Sequence, residues 1–278
     1  FSFLGRSAHA AGSPHLGRSA LDAVELMSVG VNYLREHIPT DCRVHYAYLN
    51  AGGPAPNIVQ ANAVVRYIVR SPRAAEVLML IERVKCIAEG AALMTETQVE
   101  PRLVCAMNSL LGNAVLENIL ARNFEILGAP VFDDADETFA WQIQATLTEE
   151  HIRSAFAMFD LESGDIALCD RIVSGGKNGV LGSTDVGDVS WAVPTVQAYG
   201  ATLAIGTPLH TWQVTAQGKS PHAHKGMIHV SKAMAATATD LFANPDLLAE
   251  AKKEHAARLK RDPVVQLLPP DLAPPLMG

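Results

Sequence analysis

The sequence is short of cysteine, of charge and of long apolar runs, and each shortage excludes something. Four cysteines, Cys42, Cys86, Cys105 and Cys169, are scattered through 278 residues. They form no CxxC pair, the usage of free thiols in a reducing compartment, so a cytoplasmic location is expected. A cysteine nucleophile is the lesser alternative. Net charge is −7. No Lys/Arg block is present, which argues against nucleic acid as a partner. No apolar run reaches the roughly 20 residues that span a bilayer, and no secretory signal opens the chain. There is no internal repeat, no GxSxG elbow, no HExxH and no P-loop, so a Ser-His-Asp assignment would be arbitrary. The chain opens on Phe1 rather than Met, inside what reads as a strand. The segment is therefore expected to begin within a domain.

What is present supports a real core: 49% of residues are hydrophobic and 18% charged, enough for one large domain or two smaller ones. Residues 1–5 read as a strand. Residues 17–38 carry Leu21, Val24, Leu26, Val31 and Leu34 at helical spacing and stop at Pro39. Arg43 to Leu49 alternates like a strand, AGGPAPN (Ala51 to Asn57) is a turn-rich connection, and Ala63 to Val69 is a second strand. Residues 73–94 predict a long helix, and Thr95 to Met107 a further strand. The order β-α-β-β-α-β is ferredoxin-like and closes a small α+β domain over residues 1–108. Residues 109–278 change character. Residues 110–127 and 135–157 predict helix, Gly175 to Ser183 a Gly-rich loop, and Trp191 to Ile205 one or two short apolar strands. Ser220 and Pro221 are an N-cap and first helical residue. That helix runs to about Phe242, and a charged one follows over 246–261. A proline-rich tail begins at Asp262.

Four constellations could carry chemistry. His9 sits in the small-residue loop AHAAGSP, held at the edge of a cleft or serving only as a structural loop residue. Asn57 follows the GGPAP turn and Arg70 ends the next strand; an amide and a guanidinium together could grip a carboxylate. In GSTDVGDVS, Asp185 and Asp188 are three apart, hence on one face of a helix. They could bind a metal, or orient a metal-ligating histidine from behind, or merely cap the helix. His210, His222 and His224 fall within fifteen positions, and neutral imidazoles suit zinc. His224, followed by Lys-Gly-Met, is the better ligand candidate and His222 the fallback; His229 reads as a helix-face residue.

Several stretches together, AHAAGSPHLGRSALDAVELM, LREHIP, GGPAPNIV, ALMTETQVE, GSTDVGDVSWAVPTVQ, GTPLHTWQ and AHKGM, resemble the dinuclear-metal peptidase and amidohydrolase family of aminoacylases and carboxypeptidase-like enzymes. Within it they look most like B-type aminobenzoyl-glutamate utilisation proteins. The resemblance runs to about Arg261. It implies a ferredoxin-like lid and dimerisation domain over 1–108, then the C-terminal half of an α/β catalytic domain over 109–278. It implies cleavage of the amide bond of an N-acyl amino acid, with aminobenzoyl-glutamate the leading substrate, by two divalent ions, zinc or manganese. It places His9 as a donor to the tetrahedral intermediate in a partner subunit's site. Asn57, Arg70 and His210 fall at substrate-binding positions, His224 (or His222) at a metal position, and Asp185 and Asp188 near the site. It implies a homodimer through the lid, or a heteromer with a related subunit. The family's first metal histidine, bridging aspartate and Glu-Glu pair lie ahead of the lid and have no counterpart here. The chain is thus expected to be trimmed at its N-terminus and not to assemble the two-metal site alone; the alternative is a non-catalytic dimerisation or partner subunit.

Overall fold

A computed structural model of the chain describes residues 1–162, 164–173 and 184–269. The described residues divide into two compact units, Phe1–Ser109 with Val265–Pro269, and Leu110–Val264.

The first unit contains β1 (Ser2–Leu4), α1 (Ala20–Leu34), β2 (Arg43–Asn50), β3 (Asn62–Arg70), α2 (Ala74–Thr95) and β4 (Gln98–Glu100). The strands form one sheet in the order β2-β3-β1-β4, every neighbouring pair antiparallel. Alternation decides which face is covered. Phe3, Val44, Ala63 and Val65 are buried with Val24, Met27 and Val31 of α1 and Val84, Ala88 and Ala91 of α2. Gly30 and Ile87 mark a close helix contact: a Cβ on Gly30 would lie 2.7 Å from the Ile87 side chain. Ser19 caps α1 by accepting from the Asp22 amide at 3.1 Å, so the helix starts later than the expected residue 17. The last strand is shorter than the expected Thr95 to Met107. Thr95 still ends α2, whose C-cap Glu96 is left-handed (φ 52°), and Pro101, with no amide to donate, follows Glu100. The strand's partner, β1, offers only three residues.

The second unit is helical: α3 (Ala114–Leu127), α4 (Asp134–Gln144), α5 (Glu149–Met158), α6 (Val186–Ala192), α7 (Trp212–Gln217), α8 (Pro221–Ala243) and α9 (Pro245–Arg261). The single helix expected over 135–157 is two. Ala145 ends the first, and Thr148 starts the second with a capping box to His151. The strands expected between Trp191 and Ile205 are absent. Trp191 lies in α6, and residues 193–205 are irregular. A strand needs a ladder partner, and the described residues of this unit contain none, so its expected α/β character is not what the described residues adopt. Ser220 and Pro221 do open α8, with the Ser220 hydroxyl accepting from the Ala223 amide at 3.2 Å. Asn244 ends α8 and caps α9. The Gly175 to Ser183 loop lies outside the described residues.

The interior of this second unit is small and polar. Ala140, Ile143, Ala167, Leu168 and Ala204 form one cluster, and Leu116, Ile119 and Ala251 another. Side-chain to backbone bonds supplement these clusters. Asn113 donates to the Ala251 carbonyl at 2.9 Å, Gln144 to that of Ile205 at 2.9 Å, and Gln217 accepts from the Ala204 amide at 2.7 Å.

Candidate functional site

In the first unit, His9 is positioned by a zipper of short bonds. Gly5 donates to the Ala61 carbonyl at 2.7 Å, Val59 to that of Ala8 at 2.9 Å, and Ala10 to that of Asn57 at 2.9 Å. Gly5 is there for a steric reason: a Cβ on it would sit 2.1 Å from the Arg18 carbonyl oxygen. The imidazole itself is exposed. Its Nδ1 accepts from the backbone amides of Ala11 (3.2 Å) and Gly12 (2.9 Å). Two N–H groups aimed at Nδ1 leave the proton on Nε2, so the loop presents an outward N–H donor. Asn57 shares this loop cluster and is exposed.

Arg70 is elsewhere. It is the last residue of β3, whose first is Asn62. Eight residue steps at about 3.3 Å each put it about 26 Å from the strand end beside Asn57. The expected Asn57/Arg70 grip is therefore not formed within one chain: the strand between them is extended and holds them at opposite ends of the sheet. The cross-strand neighbour of Arg70 is Arg43, directly opposite in the ladder.

In the second unit, His222 and His224 part company. Two positions on a helix of 3.6 residues per turn point to nearly opposite sides. His222 is fully buried and His224 exposed. Neither ring nitrogen of His222 has a hydrogen-bond partner, and the Phe139 ring lies tilted against it with centroids 5.7 Å apart. Burial pushes the His222 pKa down, partly opposed by Asp136 and reinforced by Lys225, so the ring is held neutral. Asp133, Asp136, Phe139, Lys219 and His222 line a cleft of about 400 Å³. Lys225 ties Asp133 (2.7 Å) and the buried Asp136 to α8, and its hydrogen bond lowers the Asp133 pKa. These acidic neighbours of His222 escape a sequence reading, because DDADETF reads as a helix start, which it also is. Asp185 and Asp188 do share the α6 start and are exposed. Asp185 makes no side-chain cap bond. His210 is exposed with a left-handed backbone (φ 63°) and does not line the His222 cleft.

Among the described residues, one group of three potential metal ligands converges within 4.8 Å: Asp41, Cys42 and Glu76. It lies in the first unit and contains none of the expected ligands. Arg73 already neutralises Glu76 at 2.6 Å, and Ser71 donates to it at 2.6 Å. The described residues thus offer one buried, neutral, unpartnered imidazole that suits a metal. They do not assemble a two-metal centre.

Comparison with known proteins addresses the family. No protein-family model matches the chain. Along 98% of its length it is 44% identical to the B-type subunit of the p-aminobenzoyl-glutamate hydrolase of Escherichia coli, covering 59% of that protein. The resemblance to the amidohydrolase and peptidase family stands. Along 94% of its length the chain is also 28% identical to a mouse Xaa-Arg dipeptidase, covering 51% of it. The chain thus spans between half and three-fifths of these relatives. An aminobenzoyl-glutamate utilisation protein of Klebsiella pneumoniae, known by crystal structure, overlaps 45% of the chain and 31% of its own at 26% identity, with a TM-score of 0.37. Among the described residues no helix is long and apolar enough to cross a membrane.

Proposed function

We propose that this chain serves a metal-dependent amidohydrolase that cleaves the amide bond of an N-acyl amino acid, aminobenzoyl-glutamate in the first instance. The observation that carries this reading is the 44% identity, sustained along 98% of the chain, to one component of a p-aminobenzoyl-glutamate hydrolase. The first unit is read as a ferredoxin-like lid that also dimerises, residues 1–108, and residues 109–278 as the second part of the catalytic domain. Zinc or manganese is supplied with most of its ligands by chain outside these residues, with His222 or His224 adding one. In this reading the exposed His9 Nε2–H donates to the developing oxyanion in a partner's site. Contacts of that kind are worth about 100- to 1000-fold in rate. Asn57 lies beside His9 and serves the same site; Arg70, at the far end of the sheet, holds a carboxylate of a substrate in another.

The test is hydrolysis of aminobenzoyl-glutamate by the complete protein and its His9→Ala variant. A kcat drop of about 100-fold or more with little change in KM is expected; equal kcat removes His9 from the mechanism. A second reading, a non-catalytic partner chain, is favoured by two observations: the Escherichia coli relative is named as one subunit of its enzyme, and the expected metal ligands do not converge among the described residues. Under it, this chain raises the activity of a second polypeptide and has none itself.

A further inference from the structure

We infer that Arg43 and Arg70 together form a clamp for two carboxylates, which makes Arg43 a specificity-determining residue for substrates with a dicarboxylate end. The inference rests on the reading above for the identity of the substrate. The clamp itself rests on the sheet. Arg43 and Arg70 are cross-strand partners at one end of the β2–β3 ladder. Directly opposed residues share a face, with Cα atoms about 4.5–5.5 Å apart. That face is the one turned away from the helices, because Val44, Ala63 and Val65 supply the covered face. Both arginines are exposed.

Like charges directly opposite in a ladder are unfavourable, and the acids at this end do not relieve the clash. Asp41 and Glu76 are both taken by Arg73, at 3.7 and 2.6 Å. Arg70 has no hydrogen-bond or ion-pair partner among the described residues. Arg43 donates through Nη1 to the carbonyls of Thr40 and Cys42. Those bonds fix the side chain and leave its Nε/Nη2 edge, the edge that takes a carboxylate through two parallel bonds. Two adjacent guanidiniums, one pre-positioned and neither neutralised, fit a molecule carrying two carboxylates a few carbons apart. The glutamate end of aminobenzoyl-glutamate is such a group. A single carboxylate would satisfy one guanidinium and leave the other repelled.

The experiment is calorimetric titration of the full chain with N-(4-aminobenzoyl)-glutamate and with N-(4-aminobenzoyl)-glutamine, whose side-chain carboxylate is an amide. The glutamate compound is expected to bind about tenfold tighter. Arg43→Gln and Arg70→Gln should each weaken it by about tenfold or more, and Arg43→Gln should nearly abolish the preference over the glutamine compound. Arg66→Gln, exposed on the same face, should leave both affinities unchanged and controls for a general charge effect. Circular dichroism checks that each surface variant is folded. Equal affinity for the two compounds, no saturable binding, or an unaltered preference in Arg43→Gln would overturn the clamp. Cleavage assays on the complete protein separate the two ideas. Cleavage without the preference removes the clamp and keeps the amide reading; the preference without cleavage does the reverse.

Discussion

The two units are held together by different means. The first buries an apolar layer between a sheet and two helices, with Phe3, Val24, Met27, Val31, Val65 and Val84 at its centre and Ser28 as its one buried polar residue among those described. The second buries little apolar surface in two small clusters. It relies on polar pins instead: Asn113, Gln144, Gln217 and His255, each bonded to backbone of another segment. Burying an amide side chain costs free energy unless both its ends are satisfied, so this second interior works only when each pin finds its partner. The unpartnered ring of His222 is the exception. It sits where the polar interior opens into a cleft.

Substitutions in each interior should separate the two units. The largest effect is expected from Phe3→Ala. It removes a fully buried ring at the centre of the first core and should cost about 3–5 kcal/mol. All three tryptophans, Trp141, Trp191 and Trp212, belong to the second unit. Denaturation followed by circular dichroism should therefore shift while tryptophan fluorescence holds its midpoint. A fluorescence midpoint that moves equally would mean the units do not differ as described.

Asn113→Ala should act in the opposite sense, on fluorescence first. The side chain donates to Ala251 and caps α3 by accepting from the Leu116 amide at 3.1 Å. Its loss strands the Leu116 amide and removes a second bond from the Ala251 carbonyl, and should cost about 2 kcal/mol. A cost below about 0.5 kcal/mol, the range of ordinary surface changes, would show that the pins contribute little.

The smallest effect concerns pH. The folded-state pKa of His222 is lowered by burial, so the unfolded chain takes up its proton first as pH falls. Stability is then complete above the unfolded value of about 6.5 and declines as pH drops from there toward the folded pKa. His222→Gln should flatten the decline of the fluorescence midpoint below about pH 6.5. A slope that is unchanged in the variant would assign the decline to other groups.

The same contrast explains what is legible in the sequence. The first unit is readable because its elements obey simple periods: two for β2 and β3, 3.6 for α1 and α2. Their ends carry clear signals in Pro39 and Ser71-Pro72. The last strand reads too long because alternation continues past Pro101 while pairing does not. In the second unit, α8 and α9 are legible from Ser220-Pro221 and Asn244-Pro245. The apolar run from Trp191 misleads, since β-propensity becomes a strand only beside another strand. As for the site, the His9 loop is visible in its small residues, and the divergence of His222 from His224 follows from helix geometry alone. Arg43 is not visible as a partner of Arg70. The register that pairs them depends on the connection between β2 and β3, where the ladder shifts near Tyr48 and Asn50. Asp136 is hidden because its carboxylate also serves the α4 capping box.

In the proposed reading these residues supply at most one imidazole to a metal centre and do not complete it. Dialysis of the chain against excess Zn²⁺ or Mn²⁺, followed by elemental analysis, tests it directly. No tightly held ion is expected, or one held loosely and lost in His222→Gln. Two tightly held ions per chain would contradict it and would place a complete dinuclear site within the residues present.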